Sequence, residues 1–123
     1  MPEAQAILVV EDDFLIGISD ELISAGFRVI QAANADEALR VLQGGVAIDL
    51  VLTDVRMPGV LDGVDLARRV RATWPRLKII MVSGDLPAIP ADGSVDLFFA
   101  KPYSPAYVSD AVKLLLATPD EQP

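Results

Sequence analysis

Cysteine and histidine are both missing from the 123-residue chain. Their absence excludes a disulfide, a thiol nucleophile, a Ser-His-Asp triad, a histidine general base and any zinc site built on Cys or His. A metal bound here is held by oxygen ligands, which favours the hard cations Mg²⁺ and Ca²⁺. Lack of Cys also fits a reducing compartment. Cations are scarce: 10 Lys and Arg stand against 18 Asp and Glu, a net charge of −8. Such a field repels phosphate backbones, so no nucleic-acid partner is expected. No apolar run approaches the length of a membrane span, and Met1-Pro2-Glu3-Ala4-Gln5 lacks the basic region of a signal peptide, so no membrane association and a cytoplasmic location are expected. What is present is apolar: 52% of the residues are hydrophobic, enough for a single domain of this length to bury a core. One domain over residues 1–123 is expected, its core at about 6–117 and a polar tail at 118–123.

Strand-like and helix-like segments alternate. Ile7-Leu8-Val9-Val10 is a short, mostly β-branched run, as in a buried strand. Asp13 caps a helix beginning near Phe14, with Leu15, Ile18, Leu22 and Ala25 at helical spacing and Gly26 as its stop. Phe27 to Ile30 reads as a second strand. Asn34 caps a second helix that carries Ala35, Ala38, Leu39 and Leu42 on one face and ends at Gly44-Gly45. Ile48 to Thr53 is the third strand. A helix over Gly63 to Thr73 turns Val64, Ala67 and Val70 inward and is stopped by Pro75. Leu77 to Val82 and Val95 to Ala100 are the fourth and fifth strands. Ser104 caps a last helix with Val108, Ala111, Val112 and Leu115 inward. Five strands joined by helical crossovers predict a doubly wound α/β fold, a parallel sheet with helices on both faces.

In such sheets the functional edge lies at the carboxyl ends of the strands. Strand one runs into Glu11-Asp12-Asp13, strand three into Asp54, strand four into Ser83-Gly84 and strand five into Lys101-Pro102. The rule thus gathers several carboxylates, a hydroxyl and an ammonium at one edge. Carboxylates so crowded repel each other unless a cation intervenes, and Mg²⁺ commonly takes one or two carboxylates with water and phosphate oxygens. Taken singly, each residue has a plainer reading: Asp13 as a helix cap, Glu11-Asp12 as a solvated turn, Asp54 as a loop cap, Ser83 as a turn hydroxyl, Lys101 as a surface cation.

Together, Val9-Val10-Glu11-Asp12, the run Asp49 to Gly59 with Asp54-Val55-Arg56-Met57-Pro58-Gly59 at its end, Asp62-Gly63, Val82-Ser83-Gly84 and Lys101-Pro102-Tyr103 resemble the receiver domain of bacterial two-component response regulators. The resemblance spans about Ala6 to Ala117. It implies a flavodoxin-like sheet with strand order 2-1-3-4-5 and a switch that is phosphorylated by a partner rather than an enzyme. Asp54 would be the phosphoacceptor. Glu11, Asp12 and Asp54, with the Arg56 backbone carbonyl, would position Mg²⁺. Ser83 and Lys101 would contact phosphoryl oxygens, with a cis peptide between Lys101 and Pro102. Phe98 would take the place of the aromatic that swings inward on activation; its plainer reading is a partly buried strand residue. The implied partners are a histidine kinase or histidine phosphotransfer protein, docking near Leu15 and Ile16, and a downstream protein target. The implied state is a monomer or a dimer that forms on phosphorylation.

Two features depart from the family pattern. Only seventeen residues separate Ser83 from Lys101, and Pro87, Pro90 and Gly93 among them oppose a regular helix, so the helix between strands four and five is expected to be short or absent. The loop Gly59-Val60-Leu61-Asp62-Gly63 is one residue longer than usual. The resemblance also sets Arg56 and Asp85 just beyond the phosphoacceptor and the hydroxyl residue, where side chains can gate water. Two other classes share parts of the pattern: a Mg²⁺-dependent phosphatase with an Asp nucleophile, which usually carries a second Asp where Arg56 stands, and a receiver that docks without being phosphorylated.

Overall fold

The computed structural model describes residues 4–11, 18–54, 62–83, 93–100 and 104–117, with Ser83 described by its backbone alone. Five strands and four helices are found among them: β1 (Ala6–Val10), α1 (Ile18–Ser24), β2 (Arg28–Ala32), α2 (Ala35–Gln43), β3 (Leu50–Asp54), α3 (Gly63–Thr73), β4 (Lys78–Ser83), β5 (Leu97–Ala100) and α4 (Pro105–Ala117). All strand pairs are parallel, in the order β2-β1-β3-β4-β5. This is the flavodoxin-like arrangement expected. Of the connection between β4 and β5, residues 93–96 are not helical and 84–92 lie outside the described residues.

Alternation along the central strands builds two cores. Leu8 and Val10 of β1 face one way, into a cluster with Ala38, Leu39 and Leu42 of α2 and Leu66, Ala67 and Val70 of α3. Ile7 and Val9 face the other way, toward Ile18 and Leu22 of α1 and Val108 and Val112 of α4. Every residue of β1 and β3 is buried, which explains why both read as unbroken apolar runs rather than alternating ones. The edge strands β2 and β5 are half-exposed and tolerate Arg28 and Gln31.

Local chemistry sets the helix ends. Asn34 accepts a hydrogen bond from the Glu37 backbone N–H at 2.8 Å, as its position predicted. Ser104 Oγ stands 3.4 Å from the Tyr107 N–H at the start of α4. Gly26 follows α1 with φ +100°, a conformation that favours glycine. The beginning of the first helix, with Asp13 and Leu15, falls outside the described residues.

The strand boundaries differ from expectation by one or two residues, and two of the shifts share a cause. β3 and β5 each begin one residue after an aspartate, Asp49 and Asp96, not at the apolar Ile48 and Val95. The Asp49 N–H donates to Ala6 O at 2.8 Å while its Oδ2 accepts from the Ala6 N–H at 2.8 Å. Asp96 repeats the arrangement on Ile79, with 2.9 Å for the backbone bond and 2.8 Å for the side-chain bond. Each aspartate therefore closes a two-bond ring on one residue of the neighbouring strand and fixes the register there.

Candidate functional site

The parallel register brings the strand ends together. Val10 of β1 pairs with Thr53 of β3, so Glu11 and Asp54 are the next residues on adjacent strands. The Glu11 N–H donates to Ala32 O at 3.0 Å, which carries the β1 backbone one residue past the strand. Both carboxylate oxygens of Glu11 are shielded from solvent. Asp54, the last residue of the central strand, is only 6% exposed and pairs in register with Val82. Ser83 follows Val82 and closes β4, its backbone in register with Ala100, the last residue of β5.

Of the residues named from sequence, Glu11 and Asp54 thus stand at adjacent strand ends, and the Ser83 backbone stands at the end of the next strand. Phe98 pairs with Met81 and is half-buried against the core on the α2–α3 face. Asp12, Arg56 and Lys101 lie outside the described residues, as do Leu15, Ile16, Asp85 and the Lys101-Pro102 peptide. One polar contact at this edge was not anticipated. Thr53 is 1% exposed, and its hydroxyl donates to the Asp54 backbone carbonyl at 2.9 Å. A hydroxyl residue set between Leu52 and Asp54 in an otherwise apolar strand is the signal that would have pointed to it, since a buried hydroxyl needs a partner.

The donor set suits a hard divalent cation. Among the described residues no group of three or more acidic side chains converges, but Glu11 and Asp54 bring two carboxylates to one edge. Two carboxylates withdrawn from water at adjacent strand ends repel each other, a cost that a cation offsets. An all-oxygen set of this kind is what Mg²⁺ takes, with water filling the remaining positions.

Comparison with known proteins agrees with this layout. The family model described as the response regulator receiver domain matches residues 7–113. The chain is 37% identical over 122 residues to the sensor kinase CckA of Brucella abortus, covering 93% of this chain and 13% of that protein. It spans under half the length of the curated relatives it matches at 37–39% identity. A CheY-like receiver domain protein from Methanospirillum hungatei superposes with a TM-score of 0.86 at 26% identity, covering 94% of this chain and 95% of that one. The response regulator TrrA of Thermotoga maritima, solved in complex with Mg(2+)-BeF, superposes at 0.78 with 30% identity, covering 90% and 98%. Among the described residues no helix is long and apolar enough to cross a membrane. With the strand order, the acidic strand ends and a family model spanning most of its length in agreement, the chain belongs to the response regulator receiver domain family.

Proposed function

We propose that the chain is a signalling switch that accepts a phosphoryl group on Asp54 from a partner's phosphohistidine. The observation that carries this is the burial of Asp54 at the end of the central strand, beside the shielded carboxylate of Glu11. Family membership makes the chain itself the substrate, a switch rather than an enzyme with a separate one.

An Asp54 carboxylate oxygen attacks the phosphorus in line; the new O–P bond forms as the N–P bond to the donor's imidazole breaks, and the imidazole leaves with the electron pair. Phosphoryl transfer asks for positioning and charge stabilisation more than for covalent help, and a nucleophile fixed at the end of a fully buried strand is well positioned. Glu11, Asp12, Asp54 and the Arg56 backbone carbonyl would hold Mg²⁺, which supplies charge stabilisation for the phosphoryl oxygens. Lys101 pairs with one of those oxygens and the Ser83 hydroxyl donates to another. Phe98, half-buried on β5, repacks when Ser83 is drawn toward the phosphoryl group. Water attack on the acyl phosphate restores Asp54 and releases inorganic phosphate, resetting the switch. The donor is a histidine kinase or histidine phosphotransfer protein, the recipient of the signal is another protein, and both act in the cytoplasm.

The test is incubation with acetyl phosphate and Mg²⁺ followed by intact mass measurement. A single phosphoryl adduct is expected, stable in acid, lost in mild base and absent from Asp54→Asn. An adduct of equal yield in Asp54→Asn, or no adduct at all, rejects the assignment. Sustained turnover of phosphate esters would point instead to a phosphatase.

A further inference from the structure

The opposite end of the sheet carries a feature that phosphorylation does not use. Five of the ten cationic residues, Arg68, Arg69, Arg71, Arg76 and Lys78, fall within residues 68–78, a stretch with no acid in it, although the chain carries −8 overall. This stretch forms the second half of α3, the following turn and the first residue of β4. Arg71 braces the turn: Nη1 donates to Pro75 O at 2.8 Å and Leu77 O at 3.1 Å, and Nη2 meets Asp96 Oδ2 at 2.7 Å.

The braced turn forms one wall of an open cleft of about 870 Å³ at the amino ends of the strands. Its apolar lining includes Trp74, Leu77, Val46, Ile48, Leu115 and Leu116, drawn from three separate stretches of chain. Val46 is 44% exposed. Arg76, which is exposed, and Lys78, which is half-buried, also line it. Among the described residues of the lining, Asp49 is the acidic one, and its carboxylate already accepts the Ala6 N–H. The cleft therefore offers an apolar floor, a tryptophan and a cationic rim.

We propose that this cleft docks an acidic peptide segment of a partner protein, with an apolar side chain seated against Trp74 and a carboxylate toward exposed Arg76 on the cationic rim. The charge pattern selects this occupant. At physiological ionic strength charges beyond roughly 8 Å are screened, so a short ligand responds mainly to the charges that line the cleft, Arg76 and Lys78 against Asp49. A long polyanion would extend past the rim along a chain of net charge −8, and a second copy of the chain would set −8 against −8. The volume suits a few side chains, and an apolar lining with a few charged groups is how such sites combine affinity with specificity.

The experiment pans a random peptide display library against the immobilised full chain, counter-selecting on the double variant Arg76→Glu/Lys78→Glu. Enriched clones are expected to carry Asp or Glu around a Leu, Phe or Trp. The leading clone, made as a synthetic peptide, is then titrated into ¹⁵N-labelled protein. It should shift amides in 45–49, 73–78 and 115–116, and bind the double variant at least about tenfold more weakly. The double variant must keep its dispersed spectrum and its acetyl-phosphate adduct; if it does not, exposed Val46→Glu serves as the charge-placing variant with the same expected loss. Clones without an acidic excess, enrichment equal on the variant, or shifts elsewhere overturn the proposal. So does a single-stranded oligonucleotide, or self-association, that moves these amides when the peptide does not. The readout is independent of Asp54, so failure here and failure of the phosphoacceptor assignment are separable.

Discussion

Aspartate and glutamate do opposite work at the two ends of this sheet. At the amino ends, Asp49 and Asp96 are matched to backbone donors: each carboxylate accepts the N–H of a fully buried residue, Ala6 or Ile79, and each backbone closes the ring. At the carboxyl ends, Glu11 and Asp54 are withdrawn from solvent side by side, an arrangement that favours an incoming cation. The first pair fixes strand register; the second stands where the proposed phosphoryl chemistry needs it. An acidic residue near a strand is therefore read by which end it occupies, not by its type.

The largest expected effect tests the stapling role at the amino end. Asp96→Ala removes the acceptor of the Ile79 N–H and the partner of Arg71, and should cost about 1–3 kcal/mol in urea unfolding. The ion pair itself is about a quarter exposed on both sides and accounts for under about 1 kcal/mol of that. Asp49→Ala loses the matching bond to Ala6 without an ion pair and should cost about 1–2 kcal/mol. Both variants should still take up one phosphoryl group per chain from acetyl phosphate. If either loses the adduct while remaining folded, the two ends are not separate in function.

The next effect inverts the pattern. Glu11→Gln should weaken Mg²⁺ binding by at least about tenfold in calorimetric titration, since it removes one charged member of the proposed ligand set. Its unfolding midpoint without Mg²⁺ should fall less than that of Asp96→Ala, because a like-charge neighbour of Asp54 is gone. A fall in stability comparable to that of Asp96→Ala would mean that Glu11 is structural, and the contrast between the ends would collapse.

How much of this was readable in advance follows the same division. The parallel α/β sheet and the gathering of Glu11 and Asp54 came from apolar runs, crossovers and the strand-end rule, all of which act over short stretches of sequence, whereas the strand order came from the family resemblance. The two-bond staples were not read, though Ile48-Asp49-Leu50 and Val95-Asp96-Leu97 repeat one pattern. Apolar periodicity carried the expected strands back to Ile48 and Val95, which are half-buried against the core but precede the staple. For β2 the expected end at Ile30 fell short because exposed Gln31 looks like a breaker, whereas an edge strand accepts a polar outward residue. The basic cleft was invisible because its walls come from stretches far apart in the chain, and periodicity says nothing about which loops meet.

Helix α3 joins the two ends, and its cap supplies the smallest test. Asp62 accepts from the Asp65 N–H at 2.9 Å, and Asp65 Oδ2 reaches back to the Asp62 N–H at 3.3 Å. This is a capping box with aspartate in both places; the short Asp65 side chain explains why its return bond is the longer one. The other end of the helix carries Arg71, the brace of the cleft wall. Asp62→Ala removes the stronger bond and a negative charge favourable to the helix start, and should cost about 1 kcal/mol. Asp65→Ala removes only the long bond and should cost less, within about 0.5 kcal/mol, by the same denaturant measurement. If the helix behaves as a rigid strut, neither variant changes the affinity of the cleft for its selected peptide. A cap variant that weakens that binding as much as Arg76→Glu/Lys78→Glu does would show instead that loosening α3 at the phosphoacceptor edge is felt at the basic edge, and the two ends would then be coupled through this helix.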